Sequence, residues 1–292
     1  MDAGLTRRFT LSDLRAARDS GRKVAMLTCY DYTTARLMQE AGVPALLVGD
    51  SAANVILGHD STLPVPLEFM IQITGAVRRG APLALVVADM PFGSYQQSDE
   101  QGVANILRMA KESGCDCVKI EAARTHLRMI GRLADAGVAV MAHLGLRPQT
   151  VGLMGGYKCQ GRTAQQGAQI VASALRMEDA GAAAILLEAV PPEVAAAVVE
   201  RTTVPVIGCG AGPACHGCVI VTHDGVGLTP APPRFAPRLG DLAAPMRKAY
   251  GRYVADVVAQ RYPAAEHAYA MLPGEARKLR SAIRRMIGTK RK

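Results

Sequence analysis

Short apolar runs alternate with amphipathic segments along most of the chain. Eight runs are candidate strands: KVAMLTCY from Lys23, ALLVGD from Ala45, LALVVAD from Leu83, CVKIE from Cys117, VAVMAHL from Val138, AAILLE from Ala183, VPVIGCG from Val204 and GCVIV from Gly217. Most of each run is continuously apolar rather than alternating. This pattern is typical of strands that are buried on both faces of a parallel sheet.

Helical patterns fill the intervals between these runs. They include LEFMIQITGAVRRG, SDEQGVANILRMAKESG and AQQGAQIVASALRMEDAG, and most of them end in glycine just before the next apolar run, as a helix C-cap does. Strand and helix alternate about eight times over roughly 250 residues, which predicts the α/β class and a (β/α)8 TIM-type barrel. A doubly wound open sheet is the structural alternative.

The charge of the chain is concentrated at its C-terminal end. Of the net charge of +9, residues 275–292 contribute +7, from eight Lys or Arg against one Glu. We predict a barrel domain over residues 1–266, with a helix from about Asp241 to Gln260, and a basic extension over residues 267–292 that is helical or partly disordered. The extension is either a solvated amphipathic helix or a contact with another subunit, an acidic partner or nucleic acid.

Composition limits the class of protein. Hydrophobic residues make up 49% and charged residues 20% of the chain, as in a globular protein with a sizeable core. No apolar run approaches the length of about 20 residues that a membrane helix needs, and the N-terminal segment has no apolar secretory core. The body of the chain is almost neutral, so we expect a cytoplasmic protein with neither a membrane nor a nucleic-acid partner. Seven Cys without an export signal favour free thiols over disulfides.

Five successive strand candidates end in titratable residues. In chain order these are Asp50, Asp89, Lys119 with Glu121, His143, and Glu188. Taken singly, each could be a turn residue or a helix cap. In a barrel, however, all strand C-termini meet at one face, so the sequence predicts a shared pocket. Carboxylates repel one another at close range unless a cation joins them, and without a His/Cys cluster they favour a hard metal, Mg²⁺ before Zn²⁺.

Such a site suits chemistry on a 2-oxo acid. A metal that chelates the carboxylate and keto oxygen of the substrate acidifies the adjacent C–H bond, because it stabilises the enolate. Glu188 follows an apolar run, so we expect it to be desolvated, more basic and able to remove that proton. Lys119 would pair with the substrate carboxylate or with the enolate oxygen. The residues alone do not name the product.

At these residues the chain resembles the ketopantoate hydroxymethyltransferase family, a branch of the phosphoenolpyruvate/pyruvate barrel superfamily. The likeness is collinear from about Leu11 to His267. It rests on long motifs in order: MLTCYDYTTA, LLVGDSAANVILGHDSTLPV, AVRRGAP, VVADMPFGSY, VKIE, AHLGLRPQ, GGYKCQGR, LLEAVP, VPVIGCGAG and HDGVG.

The resemblance implies an activity and a set of roles. The family transfers a hydroxymethyl group from 5,10-methylenetetrahydrofolate to 3-methyl-2-oxobutanoate, giving ketopantoate in pantothenate and coenzyme A biosynthesis. It implies Mg²⁺ as the cofactor and a homo-oligomer, by family likeness a homodecamer. The implied roles are metal ligands at Asp50, Asp89 and Glu121, oxo-acid binding at Asp50, Ser51, Asp89 and Lys119, the base at Glu188, and a contact behind the ligands at His143, for which a structural histidine is the alternative.

One stretch departs from the family pattern. After VPVIGCGAG the family usually has an Asp and, two residues later, a Gln, whereas here His216 and Cys218 stand in those places. This departure raises a question about the start of the eighth strand and the folate side of the pocket. It keeps two alternatives open, namely a superfamily paralogue acting on a different 2-oxo acid and a non-catalytic barrel that binds ligands. A zinc or redox site at Cys209, Cys215 and Cys218 would need further ligands.

Overall fold

The chain folds around a closed barrel of parallel strands. The computed structural model describes residues 4–288. Strands β1 to β8 pair in chain order and β8 closes on β1, so the predicted (β/α)8 barrel is confirmed. The strands are β1 Val24–Thr28, β2 Ala45–Val48, β3 Leu85–Asp89, β4 Cys117–Glu121, β5 Val140–Gly145, β6 Ala184–Glu188, β7 Val206–Cys209 and β8 Gly217–Ile220.

Helices fill most of the strand connections. They are α1 Leu11–Asp19, α2 Tyr32–Glu40, α3 Ala52–Val55, α4 Leu67–Gly80, α5 Asp99–Ser113, α6 Leu127–Asp135, α7 Val151–Met154, α8 Ala164–Asp179, α9 Pro192–Arg201, α10 Thr222–Gly225, α11 Ala243–Val258 and α12 Glu275–Gly288. Within residues 4–288 no helix is both long enough and apolar enough to cross a membrane.

The chain divides into two compact units, one ending at Gly240 and the other beginning at Asp241. The first unit holds the barrel with α1 to α10, and the second holds α11 and α12. The domain boundary predicted at residue 266 stays a prediction.

Side chains inside the barrel follow the two-residue period of the strands. Along β3, Leu85 and Val87 pack in the barrel interior with Phe9 and Leu14, which precede or belong to α1. Val86 and Ala88, between them, belong instead to the larger apolar layer between the strands and the surrounding helices. Side chains therefore fill the barrel as a packed core. The same period places Asp89, the last residue of β3, on the interior side.

Glycine allows α2 and α4 to approach closely. Gly80 ends α4, and a Cβ atom there would collide with the carbonyl oxygen of Tyr32 and would lie 2.9 Å from Cβ of Ala35. The apolar residues of α4, among them Met70 and Val77, are consequently buried against the barrel layer.

The connection between β7 and β8 is short and contains no helix. His216 lies just before β8, at the amino ends of the strands, opposite the end where β2, β3 and β4 finish in acidic residues. Its ring Nδ1 accepts a hydrogen bond from the amide of Val206 at 2.9 Å, and its own amide donates to Val206 O at 2.8 Å. His216, which departs from the family pattern, therefore supports the pairing of β7 with β8. It lies away from the pocket.

The three neighbouring thiols do not form one site. Cys209 is buried with the interior cluster of the barrel. Cys218 is exposed and precedes the buried Val219, so the strand period turns it to the outer face. Cys215 packs over Gly208 on that outer face. All three are free cysteines.

His216 gives a pH-dependent contribution to stability. Burial, together with the positive charge of Lys23, lowers the pKa of His216 from its ordinary value of 6.5. The neutral ring is also the form that accepts the Val206 amide. A group whose pKa is lower in the folded protein contributes stability above the unfolded pKa and loses it as the pH falls. We expect His216→Phe to cost more free energy of unfolding at about pH 8 than at about pH 5.

Denaturant unfolding of both proteins at the two pH values tests this expectation. The control is His59→Phe, since His59 is exposed. The expectation is wrong if His216→Phe lowers the free energy of unfolding equally at both pH values, or by more at the lower pH.

Candidate active site

Buried charged side chains meet at the carboxyl ends of β2, β3 and β4. Asp89 and Glu121 are the last residues of β3 and β4, Lys119 lies two residues before Glu121, and Asp50 follows β2 by two residues. Each is at most 5% exposed. The period of two places Asp89, Lys119 and Glu121 on the interior side of the barrel, directly above its apolar core.

Direct contacts join three of these residues, Lys119, Asp89 and Asp50. Lys119 Nζ donates to Asp89 Oδ2 at 2.6 Å, and the Asp50 amide donates to the same oxygen at 3.2 Å. Burial disfavours the charge of Lys119, but Asp89, Asp50 and Glu121 together raise its pKa, so it stays cationic. Burial raises the pKa of Asp89 although Lys119 opposes the effect. It also raises the pKa of Glu121 to about 8. The cluster holds three acidic side chains and one ammonium group.

A buried amide, Gln149, connects the two acidic side chains that Lys119 does not reach by hydrogen bond. Its Nε2 donates to Asp50 Oδ2 at 2.9 Å, and its backbone amide donates to Glu121 Oε1 at 2.9 Å. The same Nε2 also donates to the carbonyl oxygen of Met90 at 2.9 Å. Gln149 is thus the residue that links the ends of β2, β3 and β4.

Tyr95 and a short turn hold Gln149 in place. The Tyr95 hydroxyl donates to Gln149 Oε1 at 2.9 Å and accepts from the Glu121 amide at 3.0 Å. Gln149 lies in the 3₁₀ turn Pro148–Thr150 after β5, which begins with proline. Arg147, just before this turn, donates to the carbonyl oxygen of Ala122 at 3.1 Å. Sequence analysis missed Gln149 as a site residue because a neutral amide in a loop gives no charge signal; its only trace was the motif AHLGLRPQ.

His143 and Glu188 form a second pair beside the cluster. His143 Nε2 lies 3.3 Å from Glu188 Oε2, although neither ring nitrogen makes a hydrogen bond among the described residues. Burial and the charge of Lys119 lower the pKa of His143, so the ring is neutral at pH 7. The Glu188 side chain is 19% exposed. Glu188 is thus partly buried, and its expected basicity stays a prediction.

The backbone next to Glu188 is tightly constrained. Ala189 has a positive φ of 46°, which is unfavourable for a residue with a Cβ atom. Its amide donates to Cys209 O and its carbonyl oxygen accepts from the Gln160 amide, both at 2.8 Å. Gly145, at the end of β5, has a φ of 90°, and a Cβ atom there would collide with the Glu188 carbonyl oxygen.

Ser51 lies at the edge of the cluster, on the turn that follows Asp50. Its hydroxyl is 2.8 Å from the buried hydroxyl of Tyr30. Gly49 leaves room for it, since a Cβ atom there would lie 2.9 Å from the Ser51 oxygen. The structure thus brings Asp50, Asp89, Lys119 and Glu121 into one hydrogen-bonded cluster, with Ser51 at its edge. His143 and Glu188 form the adjoining pair.

The donor set fits a hard dication that keeps open positions. Asp89 Oδ1 and Glu121 Oε2 are buried and have no hydrogen-bond partner among residues 4–288. Buried carboxylate oxygens without partners are costly, and a cation would satisfy them. Within the same residues, no three His, Cys, Asp or Glu side chains form a group that could hold a metal ion. Mg²⁺ commonly takes one or two carboxylates and fills its other positions with water and substrate oxygens.

Comparisons with known proteins agree on one family. The chain matches the profile of the ketopantoate hydroxymethyltransferase family over residues 8–265. The 3-methyl-2-oxobutanoate hydroxymethyltransferase of Thermobifida fusca (strain YX) is 44% identical over 264 residues, which are 90% of this chain and 94% of the relative. That of Acidothermus cellulolyticus (strain ATCC 43068 / DSM 8971 / 11B) is 45% identical over 268 residues, 91% of this chain and 98% of the relative.

Solved structures resemble the fold at low sequence identity. Phosphoenolpyruvate phosphomutase from Streptomyces platensis subsp. rosaceus has a TM-score of 0.60 at 16% identity, covering 97% of this chain and 99% of that chain. Phosphonopyruvate hydrolase in complex with oxalate and Mg²⁺ has a TM-score of 0.57 at 15% identity, with the same coverage. These likenesses concern the fold. The profile match and the curated relatives confirm the resemblance found in the sequence, and the chain belongs to the ketopantoate hydroxymethyltransferase family, whose curated members are transferases.

Proposed function

We propose that this chain transfers a hydroxymethyl group from 5,10-methylenetetrahydrofolate to 3-methyl-2-oxobutanoate, with Mg²⁺ as cofactor, to form ketopantoate for pantothenate and coenzyme A biosynthesis. The observation that carries the proposal is the buried cluster of Asp50, Asp89 and Glu121 around one ammonium group, with two carboxylate oxygens unsatisfied. Such a cluster has no evident structural purpose, because a barrel core is more stable without buried like charges.

Asp50, Asp89 and Glu121 are the residues that would hold the cation, directly or through water. When bound, Mg²⁺ would supply Lewis acidity at the keto and carboxylate oxygens of the substrate. Lys119 keeps its proton and would place a positive charge beside the oxygen that gains charge as the enolate forms. The Ser51 hydroxyl would donate to the oxo-acid carboxylate at the edge of the cluster.

Glu188 would act as the base. Its carboxylate would take the proton from C3 of 3-methyl-2-oxobutanoate, and the electron pair of that C–H bond would form the enolate. Water would add its hydroxyl group to the methylene carbon of the folate as the first C–N bond breaks, and its proton would go to the released nitrogen. C3 would bond to that carbon as the second C–N bond breaks, and the proton held by Glu188 would go to the second nitrogen, giving ketopantoate and tetrahydrofolate. The neutral ring of His143, 3.3 Å from Glu188, would orient the carboxylate without adding a competing charge. Partial exposure of Glu188 allows the substrate to reach it.

A cavity beside the cluster suits the anionic part of a folate. Its volume is about 450 Å³, and its lining includes Ala122, which follows Glu121, and Gly145, at the end of β5. Three guanidinium groups line it, those of Arg124, Arg147 and Arg176. Folates carry carboxylates, which arginine binds well. We further expect a homo-oligomer, by family likeness a homodecamer, in the cytoplasm.

The alternatives remain a paralogue that uses another 2-oxo acid and a non-catalytic barrel. The paralogue was suggested by His216 and Cys218, which lie in the turn before β8 and on the outer face of that strand. Neither position faces the cluster, so neither favours a different substrate.

Hydrogen exchange at C3 of 3-methyl-2-oxobutanoate tests the proposal without folate. In deuterated water with Mg²⁺, we expect the protein to replace the C3 hydrogen, as followed by proton NMR. Removal of Mg²⁺ by a chelator should stop exchange, and added Mg²⁺ should restore it. Glu188→Gln should slow exchange by about 10²–10⁴-fold, the usual contribution of a positioned general base, while oxo-acid binding remains measurable by calorimetry.

The matched control is Glu193→Gln, since Glu193 is exposed in the first turn of α9. Absence of exchange in the unaltered protein would overturn the proposed chemistry and leave a binding barrel. Exchange without ketopantoate formation from methylenetetrahydrofolate would favour the paralogue.

Substitution of Gln149, which donates hydrogen bonds to Asp50 and Glu121, provides a second test of the proposed metal site. Gln149→Leu removes the side-chain donor to Asp50 and the acceptor for Tyr95 in a buried place. We expect the free energy of unfolding to fall by about 1–3 kcal/mol. We also expect the affinity for Mg²⁺ in the presence of oxo acid to weaken by roughly 10- to 100-fold, as when a supporting contact of a metal ligand is lost.

Denaturant unfolding measures the first effect and calorimetric titration of Mg²⁺ the second. The control is Gln165→Leu, since Gln165 is exposed in the first turn of α8, and it should leave both the free energy of unfolding and the Mg²⁺ affinity unchanged. An unchanged Mg²⁺ affinity in Gln149→Leu would show that Gln149 supports the fold alone.

A further inference from the structure

The C-terminal helix α12 lies outside the part of the chain that matches the family. The profile ends at residue 265, whereas α12 spans Glu275–Gly288. Nothing in the proposed reaction uses it.

Its apolar residues form one stripe. Leu279, Ile283, Met286 and Ile287 have the i, i+4, i+7, i+8 spacing that places side chains on one face of a helix. Their exposed fractions are 47%, 42%, 71% and 59%. Within the described residues this stripe is not packed into a core. A helix of this length is marginal in water without a surface against which its apolar face can pack.

Its cations cover the rest of the circumference. Arg280 and Lys278 are the basic residues nearest to the stripe on its two sides, while Arg277, Arg284 and Arg285 lie farther towards the opposite face. Glu275 is the sole acidic residue of the helix and pairs with Lys278 at 2.8 Å. Long basic side chains on both borders of an apolar stripe can bury their methylene groups while their charges reach a polar layer.

We propose that α12 binds the surface of an anionic lipid bilayer, with its axis parallel to the surface and its apolar stripe in the interfacial layer. A bilayer has an apolar layer directly beneath anionic headgroups. It can therefore bury the stripe and bind the basic side chains on both sides of it at the same time. Nucleic acid would engage the cations but leave the stripe in water, and α12 has no aromatic side chain on which a base could stack. Such surface binding requires no helix that crosses the membrane, and it differs from our expectation of no membrane partner.

The absence of tryptophan from the chain allows a direct test. In the full-length protein, Ile283→Trp places the only indole on the stripe, and Ser281→Trp places it on the opposite face as a matched control. On addition of phosphatidylcholine vesicles containing phosphatidylglycerol, we expect the emission of Trp at 283 to shift to shorter wavelength and that of Trp at 281 to stay unchanged. Pure phosphatidylcholine vesicles should produce a much smaller shift.

Charge variants measure the electrostatic part. Arg280→Gln and Lys278→Gln should each weaken partitioning into the anionic vesicles about fivefold, and added salt should weaken it further. Because none of residues 275–287 is buried, these variants should keep the unfolding midpoint of the parent protein.

Several results would overturn the proposal. An emission at 283 that is already short-wavelength before vesicles are added would show that protein covers the stripe, as in contact with a second copy. Equal shifts at 281 and 283, or a shift with RNA and none with vesicles, would show a polyanion site. No partitioning of the full-length protein into anionic vesicles would end the proposal outright.

Discussion

The site depends on the burial of three acidic side chains around a single ammonium group. Lys119 reaches Asp89 at 2.6 Å, but its one positive charge cannot balance Asp50 and Glu121 as well. Burial raises the pKa of Glu121 to about 8, because the charged carboxylate is disfavoured away from water. In our proposal, Mg²⁺ would supply the second positive charge. The surrounding hydrogen bonds, above all those of Gln149, hold the oxygens in place where this ion would bind.

The fold keeps this arrangement in place through simple periodicity. In β3 the interior positions Leu85 and Val87 are apolar before Asp89, and in β4 Cys117 is apolar before Lys119 and Glu121. The barrel core therefore forms an apolar layer beneath the cluster. A low local dielectric strengthens each interaction of the cluster with a bound ligand, but it also makes every unsatisfied oxygen more costly.

Much of this organisation could be read from the sequence, because buried parallel strands leave continuous apolar runs. All eight strand candidates correspond to strands, and the segment CVKIE matches β4 residue for residue. The convergence of Asp50, Asp89, Lys119 and Glu121 followed from topology alone. Two features could not be read in this way. Gln149 acts through amide and backbone donors, which carry no charge pattern, and the exposure of Glu188 depends on where β6 ends relative to the surrounding loops.

Ala189 links the chemistry of the site to the limits of its stability. The residue directly after Glu188 adopts a backbone conformation that glycine would adopt with little strain, yet it has a methyl group. Alanine narrows the range of angles open to this peptide, and the hydrogen bonds to Gln160 and Cys209 hold it in the unfavourable one. A search for heat-resistant variants would be drawn to glycine here, since it relieves the strain. The same substitution would widen the range of backbone angles next to the Glu188 carboxylate. Thermal stability and the proposed catalytic role of Glu188 would therefore favour different residues at this position.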